Sequence, residues 1–283
     1  MIFINPKTDY AFKKIFGSSE SKDILMSFLN ALIYKGNSTI EDLEIINLNL
    51  PLKAEGLQDS CMDVKVKLQD DTLVIIEIQV LNIQSFGKRA FYNAANTYAF
   101  QLQAAQSYRL VEPVIALTIT DFEMFANSED FMSRFVLKEV NENFTYPEKN
   151  LDLVFVELPK FMKQEHELET LADKWIYFMK NARSLTSVPE IMDSIPEIHK
   201  AFDMANQANL SSEEADNLDR IEQFIYDQQR AIVKAVQEGI EEGMQFETIA
   251  IAQKLLSQLD NTTIAQVTGM SVEEVQNLRA ANS

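Results

Sequence analysis

The chain has 283 residues, with 25 Lys and Arg against 43 Asp and Glu and a formal net charge of −18. An apolar fraction of 46% supplies a sizeable core, and the acid excess excludes a protein that coats nucleic acid by bulk charge, because phosphate contacts need Lys and Arg. The lone cysteine, Cys61, excludes an internal disulfide and fits a reducing compartment. Met1-Ile2-Phe3-Ile4 is too short for the apolar region of a signal peptide, and no apolar run reaches membrane-spanning length, so a cytoplasmic chain without a membrane partner is expected.

Taken in order, Thr8 is a good N-cap for a short helix that Gly17 stops, with Tyr10, Phe12, Ile15 and Phe16 on its apolar side. Lys7, Lys13, Lys14 and Lys22 outnumber Asp9 and Glu20 here and make a small basic island. A second helix spans about Ser21 to Tyr34, with Ile24, Leu25, Phe28, Leu29 and Leu32 at helical spacing. Leu43 to Leu50 reads as a strand ended by Pro51.

The stretch Cys61 to Val80 organises the rest. A strand's period of two puts Met62, Val64, Val66 and Leu68 on one face, with Asp63, Lys65 and Lys67 on the other. On the following strand Val74, Ile76, Ile78 and Val80 share a face opposite Ile75, Glu77 and Gln79. Matching the apolar faces pairs Val64 with Ile76 and Val66 with Val74, and sets Asp63 across from Glu77. This register requires an odd-length loop or a bulge around Asp70 and Asp71. Two carboxylates and an amide carbonyl on one patch suit a hard cation such as Mg²⁺. Glu77 also interrupts a run that otherwise reads as buried on both faces, which is costly unless the acid is paired or bound to metal. The alternative is an acid on the solvated face of a hairpin.

Past Val80 a helix is expected from about Phe86 to Ser107, with Arg89, Tyr92 and Asn96 on one face at i, i+3 and i+7. Arg89 suits a phosphate or carboxylate clamp beside Glu77. Tyr92 reads as a packed aromatic rather than a catalytic one, in a position to support DNA binding beside Arg89. Val114 to Thr120, Phe135 to Lys138 and Leu151 to Leu158 are strands. The order αα-β-ββ-α-β-β-β implies a mixed α/β (α+β) sheet flanked by helices, with the carboxylates near its centre.

From Phe161 on, only helices are expected. Trp175 is a core residue. Ser211 and Glu214 form a capping box for a long helix reaching about Gly239, and Gly239 and Gly243 mark a hinge. A helix after Phe246, a short helix from Thr262 to Gly269 and a last one opened by the Ser271/Glu274 box make a helix-turn-helix-like tail. Glu273 and Glu274 at the start of that last helix argue against groove binding and favour packing or assembly. The expected organisation is therefore a core over 1–160, an acidic helical region over 161–243 and a small tail over 244–283, with homo-oligomerisation through the helical half. P-loop, HExxH and CxxC motifs are absent from the sequence, and His166 and His199 lie in the acidic part.

Asp63, the hairpin and Glu77-Ile78-Gln79 resemble the PD-(D/E)xK nuclease superfamily. Thr8-Asp9-Tyr10-Ala11-Phe12-Lys13-Lys14-Ile15-Phe16-Gly17, Arg89-Ala90-Phe91-Tyr92 and Glu157-Leu158-Pro159-Lys160-Phe161 narrow the resemblance to its transposase-type, recombination-promoting branch. Two departures stand out: no Pro precedes Asp63, and Gln79 stands where the superfamily usually has Lys. The resemblance implies a restriction-endonuclease-like core with an all-helical C-terminal half. It implies a Mg²⁺-dependent DNA endonuclease, Mn²⁺ substituting, linked to DNA recombination or transposition. On that reading Asp63 and Glu77 ligate the metal, the Ile78 carbonyl adds a third oxygen, and Gln79 orients water or a phosphate oxygen. Lys13 and Arg89 hold DNA phosphates, while Asp9 is an outer metal or water ligand, or simply a capping acid. The alternative is a nuclease-fold module, weak or inactive as a catalyst, that binds DNA or a protein partner.

Overall fold

A computed structural model describes residues 2–46, 64–102, 107–148 and 150–282. By packing, the chain divides into two compact units, residues 1–225 and 226–283.

The first unit opens with α1 (Asp9–Phe16), whose N-cap Thr8 accepts a hydrogen bond from the Ala11 amide through its side chain. Next come α2 (Lys22–Ile33) and β1 (Leu43–Ile45). The central hairpin is β2 (Val64–Leu68) and β3 (Leu73–Gln79), paired antiparallel with Val64 against Ile76 and Val66 against Val74. Its loop is odd in length, as the register demands. The Leu68 amide donates to the Thr72 carbonyl and the Asp71 amide to the Leu68 carbonyl. Asp71 takes a left-handed φ of 65°, which a short polar side chain tolerates.

Helix α3 (Phe86–Ala99) then carries the chain back to β4 (Val114–Thr120), which runs parallel to β3, and β5 (Met132–Phe135) and β6 (Leu151–Glu157) complete the sheet. The strand order is β1-β2-β3-β4-β6-β5, with only β3–β4 and β4–β6 parallel. The expected strand at Phe135 to Lys138 thus lies earlier in the chain. Pairing of Met132 with Val156 and Phe135 with Leu153 decides it, and Lys138 makes only an isolated bridge to Thr145.

The two faces of the sheet differ. Val64, Val66, Val74, Ile76, Leu117, Val154 and Val156 point into a large apolar core shared with Phe12, Phe16, Phe28, Trp175, Phe178 and Phe202. Those aromatics come from α1, α2, α4 (Leu171–Asn181) and, after the short α5 (Glu190–Asp193), α6 (Pro196–Ala205). Helices after residue 160 therefore close the same core as the sheet. Trp175 is fully buried and donates its indole N–H to Ser27 Oγ. The other face is covered by α3, where Ile75 packs with Ala94 and Ala116, and Phe86 and Ala90 pack with Phe155. Small alanines on α3 let the helix lie close to the strands.

Helix α7 (Ser212–Leu255) starts at the expected capping box: the Ser211 amide donates to Glu214 and the Glu214 amide to Ser211 Oγ. It runs without a break through Gly239 and Gly243, so the expected hinge is not formed. One glycine in a helix interior costs only about 1 kcal/mol against Ala, too little to break a helix with strong formers on both sides. In the second unit α8 (Asn261–Thr268) is capped by Asp260 and ended by Gly269 at φ 75°, and α9 (Val272–Ala281) opens with the Ser271/Glu274 box. Ala252, Ile264, Ala265 and Val275 form its small core.

Candidate active site

Glu77 sits near the middle of the sheet, on the face turned to α3. It is the buried acid that the run Val74 to Ile78 led one to expect, only 3% exposed. Alternation on β3 puts Ile75, Glu77 and Gln79 on this face, and the register sets Glu77 against Thr118 and Gln79 against Thr120 of β4. Both threonines are buried.

A carboxylate at this depth needs a partner, and α3 supplies one. Arg89 Nη2 donates to Glu77 Oε1 at 3.1 Å and to the amide oxygen of Gln79 at 2.6 Å. Its guanidinium lies 5.1 Å from the centre of the Phe86 ring, which holds the plane of the fork. Gln79 is anchored at its other end as well, because its amide nitrogen donates to the Leu81 carbonyl at 2.7 Å. The three side chains form one bridged unit, with a single cation neutralising the acid. Arg89 Nε is buried with no hydrogen-bond partner among the described residues.

Asp9, at the first position of α1, is half-buried. Burial pushes its carboxyl up to about 6, against the Lys13 ammonium, which pulls it down. Two residues earlier, Lys7 pairs with Asp121 at 2.7 Å, and the Asp121 amide donates to the Gln79 carbonyl. The N-terminal segment is thus tied to the end of the sheet at which Gln79 lies. Tyr92 is 63% exposed on α3 and is not the packed aromatic that its spacing suggested.

Asp63 lies outside the described residues. Among the described residues no cluster of three or more His, Cys, Asp or Glu side chains stands ready to hold a metal ion. Hard oxygen donors are nevertheless present. The Glu77 carboxylate and the Gln79 amide oxygen share one face of β3, and a hard divalent cation that completes its shell with water needs little more from the protein than one or two carboxylates.

The Glu157–Leu158–Pro159–Lys160–Phe161 stretch has a different task. Glu157 is fully buried at the end of β6 and Lys160 is 6% exposed by side chain, and they pair at 2.8 Å. Glu157 accepts from the Met124 and Phe125 amides, while Lys160 also donates to the Phe125 and Ser128 carbonyls at 2.7 and 2.8 Å. The pair therefore fastens the loop after β4. The sequence carried the motif, but an ion pair across the end of a strand has no periodic signature to reveal it.

No helix among the described residues is long and apolar enough to cross a membrane. No curated protein and no solved structure matches the chain. A family model described as "PD-(D/E)XK nuclease family transposase" matches residues 6–235, a span that holds α1, the whole sheet and the Glu77–Arg89–Gln79 unit. The mixed sheet and its helical flanks agree with that match, and the chain belongs to the PD-(D/E)XK nuclease family transposases.

Proposed function

We propose that this protein is a DNA endonuclease that hydrolyses phosphodiester bonds with a divalent cation, Mg²⁺ or Mn²⁺, in DNA recombination or transposition. The observation that carries the reading is the buried Glu77 carboxylate, bridged by Arg89 to Gln79, in a chain of a nuclease family. A buried acid held this way serves no packing purpose that an apolar residue would not serve better.

In this reading Asp63 and Glu77 hold the cation, with the Ile78 carbonyl as a further oxygen. A bound cation would activate water and offset charge on the phosphoryl oxygens and the leaving 3′-oxygen. Arg89 orients Glu77 before substrate arrives, and its remaining N–H groups suit a phosphate oxygen. Gln79 keeps the Arg89 fork in place and presents its amide to water or to a phosphate oxygen. A neutral amide there replaces the ammonium usual in the superfamily, so Arg89 supplies the side-chain positive charge beside Glu77. Lys13 contacts DNA phosphate, and Asp9 is an outer ligand of the metal or of its water. The protein works in the cytoplasm, and its helical C-terminal half joins copies of the chain.

The test is calorimetric titration of Mn²⁺ into the full chain, with Glu77→Gln and Asp63→Asn beside it. The reading expects saturable binding that both substitutions abolish. Equal weak binding by all three proteins would favour a nuclease-fold module that binds DNA or protein without cutting.

A further inference from the structure

On the α3 face of the sheet lies a cleft of about 520 Å³, lined by Ile75, two residues before Glu77 on the same strand. Its floor is Leu73 and Ile75 of β3, one wall carries Lys65 of β2, and the other carries Asn93 and Asn96 of α3 and Phe100 just past its end. Ile75 precedes Glu77 by two residues on the same strand face, roughly 7 Å. Asn93 follows Arg89 by four residues on the same helix face, about 6 Å along the axis. The floor and the α3 wall thus step from the ion pair to the cleft by similar distances.

Thr97 and Gln101 of the lining are hydrogen-bonded to backbone, but three other polar side chains are unspent among the described residues. Lys65 is half-buried and has no ion pair or hydrogen bond from its ammonium to a described residue, although its strand neighbour Lys67 pairs with Asp71. The side-chain amides of Asn93 and Asn96 likewise make no hydrogen bond to a described residue. Phe100 leaves its ring 80% exposed at the end of the cleft. An ammonium, two amides and a bare aromatic over an apolar floor match the parts of one nucleotide: phosphate, base edge and base face. A pocket of this volume takes a nucleotide-sized group. Stacking on Phe100 needs a base face free of its neighbours, which a base stacked within a duplex does not offer.

We propose that this cleft receives an unpaired nucleotide of the DNA strand next to the scissile phosphate, so that the favoured substrate is single-stranded or frayed DNA. Lys65 contacts the phosphate, Asn93 and Asn96 read the base edge, and Phe100 stacks on the base. The proposal rests on the nuclease reading for its location, but its test needs no cleavage.

The experiment is fluorescence anisotropy of the full chain with a fluorescein-labelled single strand and with its blunt duplex, in EDTA and at several salt concentrations. Wild type should prefer the single strand. Lys65→Gln should lower the salt slope by about 0.7, the share of one phosphate on a single strand. Phe100→Ala should weaken binding roughly tenfold, and Asn93→Ala with Asn96→Ala should narrow any preference among bases. All of these positions are partly exposed, and thermal melting of each variant checks that it folds. Equal affinity for strand and duplex, undetectable binding of the strand, or a strand affinity indifferent to Lys65→Gln and Phe100→Ala would overturn the proposal. Binding that depends on Lys65 and Phe100 without any metal-dependent cutting would sustain the cleft and sink the nuclease reading. Cutting with binding indifferent to both residues would do the reverse.

Discussion

Replacing Lys160 by Met removes one charge from a site that water does not reach. Glu157 is 0% exposed by side chain and Lys160 is 6%. The ammonium donates to Glu157 Oε2, to the Phe125 carbonyl and to the Ser128 carbonyl, so all its protons are used. Methionine fills much the same volume but leaves a buried carboxylate without its counter-charge and two carbonyls without a donor. Breaking a buried pair from one side costs about 3–5 kcal/mol. The amides of Met124 and Phe125 still hold Glu157, which keeps the loss toward the lower end. For a unit of this size each kcal/mol moves the melting temperature by roughly 2–4 °C, so a fall of roughly 10 °C is expected in calorimetry at neutral pH. The partner change Glu157→Gln, combined with Lys160→Met, should recover part of the loss, because no bare charge remains buried. A Lys160→Met protein that melts within 2 °C of wild type, where ~2 °C is the least that one kcal/mol would produce, would refute the reasoning.

Three further outcomes follow from the same physics. Glu214 accepts from the Lys14 ammonium and the Tyr10 hydroxyl, which with its capping bonds hold its carboxyl down to about 2 from 4.5. Its contribution is full above pH 4.5 and fades as the pH falls toward 2, so Glu214→Gln should cost about 3 kcal/mol or less in urea unfolding at pH 7 and almost nothing near pH 2. Asp9 runs the other way. With its carboxyl raised from 3.8 to about 6, ionisation penalises the fold from pH 3.8 upward and fully above 6, so Asp9→Asn should gain up to about 3 kcal/mol at pH 7.5 and nothing at pH 3.5. Arg89→Met strands the Glu77 carboxylate; because Arg89 is 29% exposed by side chain, the expected loss is about 2 kcal/mol at neutral pH, read by the same urea unfolding.

What was legible in the sequence was local and periodic. Alternation on both strands of the hairpin left one register that kept its faces apart, and the structure keeps it, with the odd loop that it requires. Thr8, Ser211 and Ser271 announced helix starts because a cap is a contact between residues three apart. Glu77 stood out as an acid in a run with no polar face. The errors are tertiary. Helix propensity continues past Ala99, yet α3 stops there, and the side chain of Gln101 instead pairs with the backbone of Glu112 in both directions. The last β-hairpin is placed by Phe135 packing on Phe125 and Phe155, which spacing does not encode. Glu214 was read as a cap, but its bonds to Tyr10 and Lys14, some 200 residues away, were invisible. The same holds for the site. Arg89 was legible as a clamp beside Glu77, while its bridge to Gln79 depends on α3 lying back along β3.

The most direct test of the central claim is nicking of supercoiled plasmid in Mg²⁺ or Mn²⁺ by the wild type, Glu77→Ala and Asp63→Ala. The account predicts cutting by the wild type alone, with loss in EDTA. Equal cutting by all three proteins, or no cutting by the wild type with either metal at any salt, would contradict it.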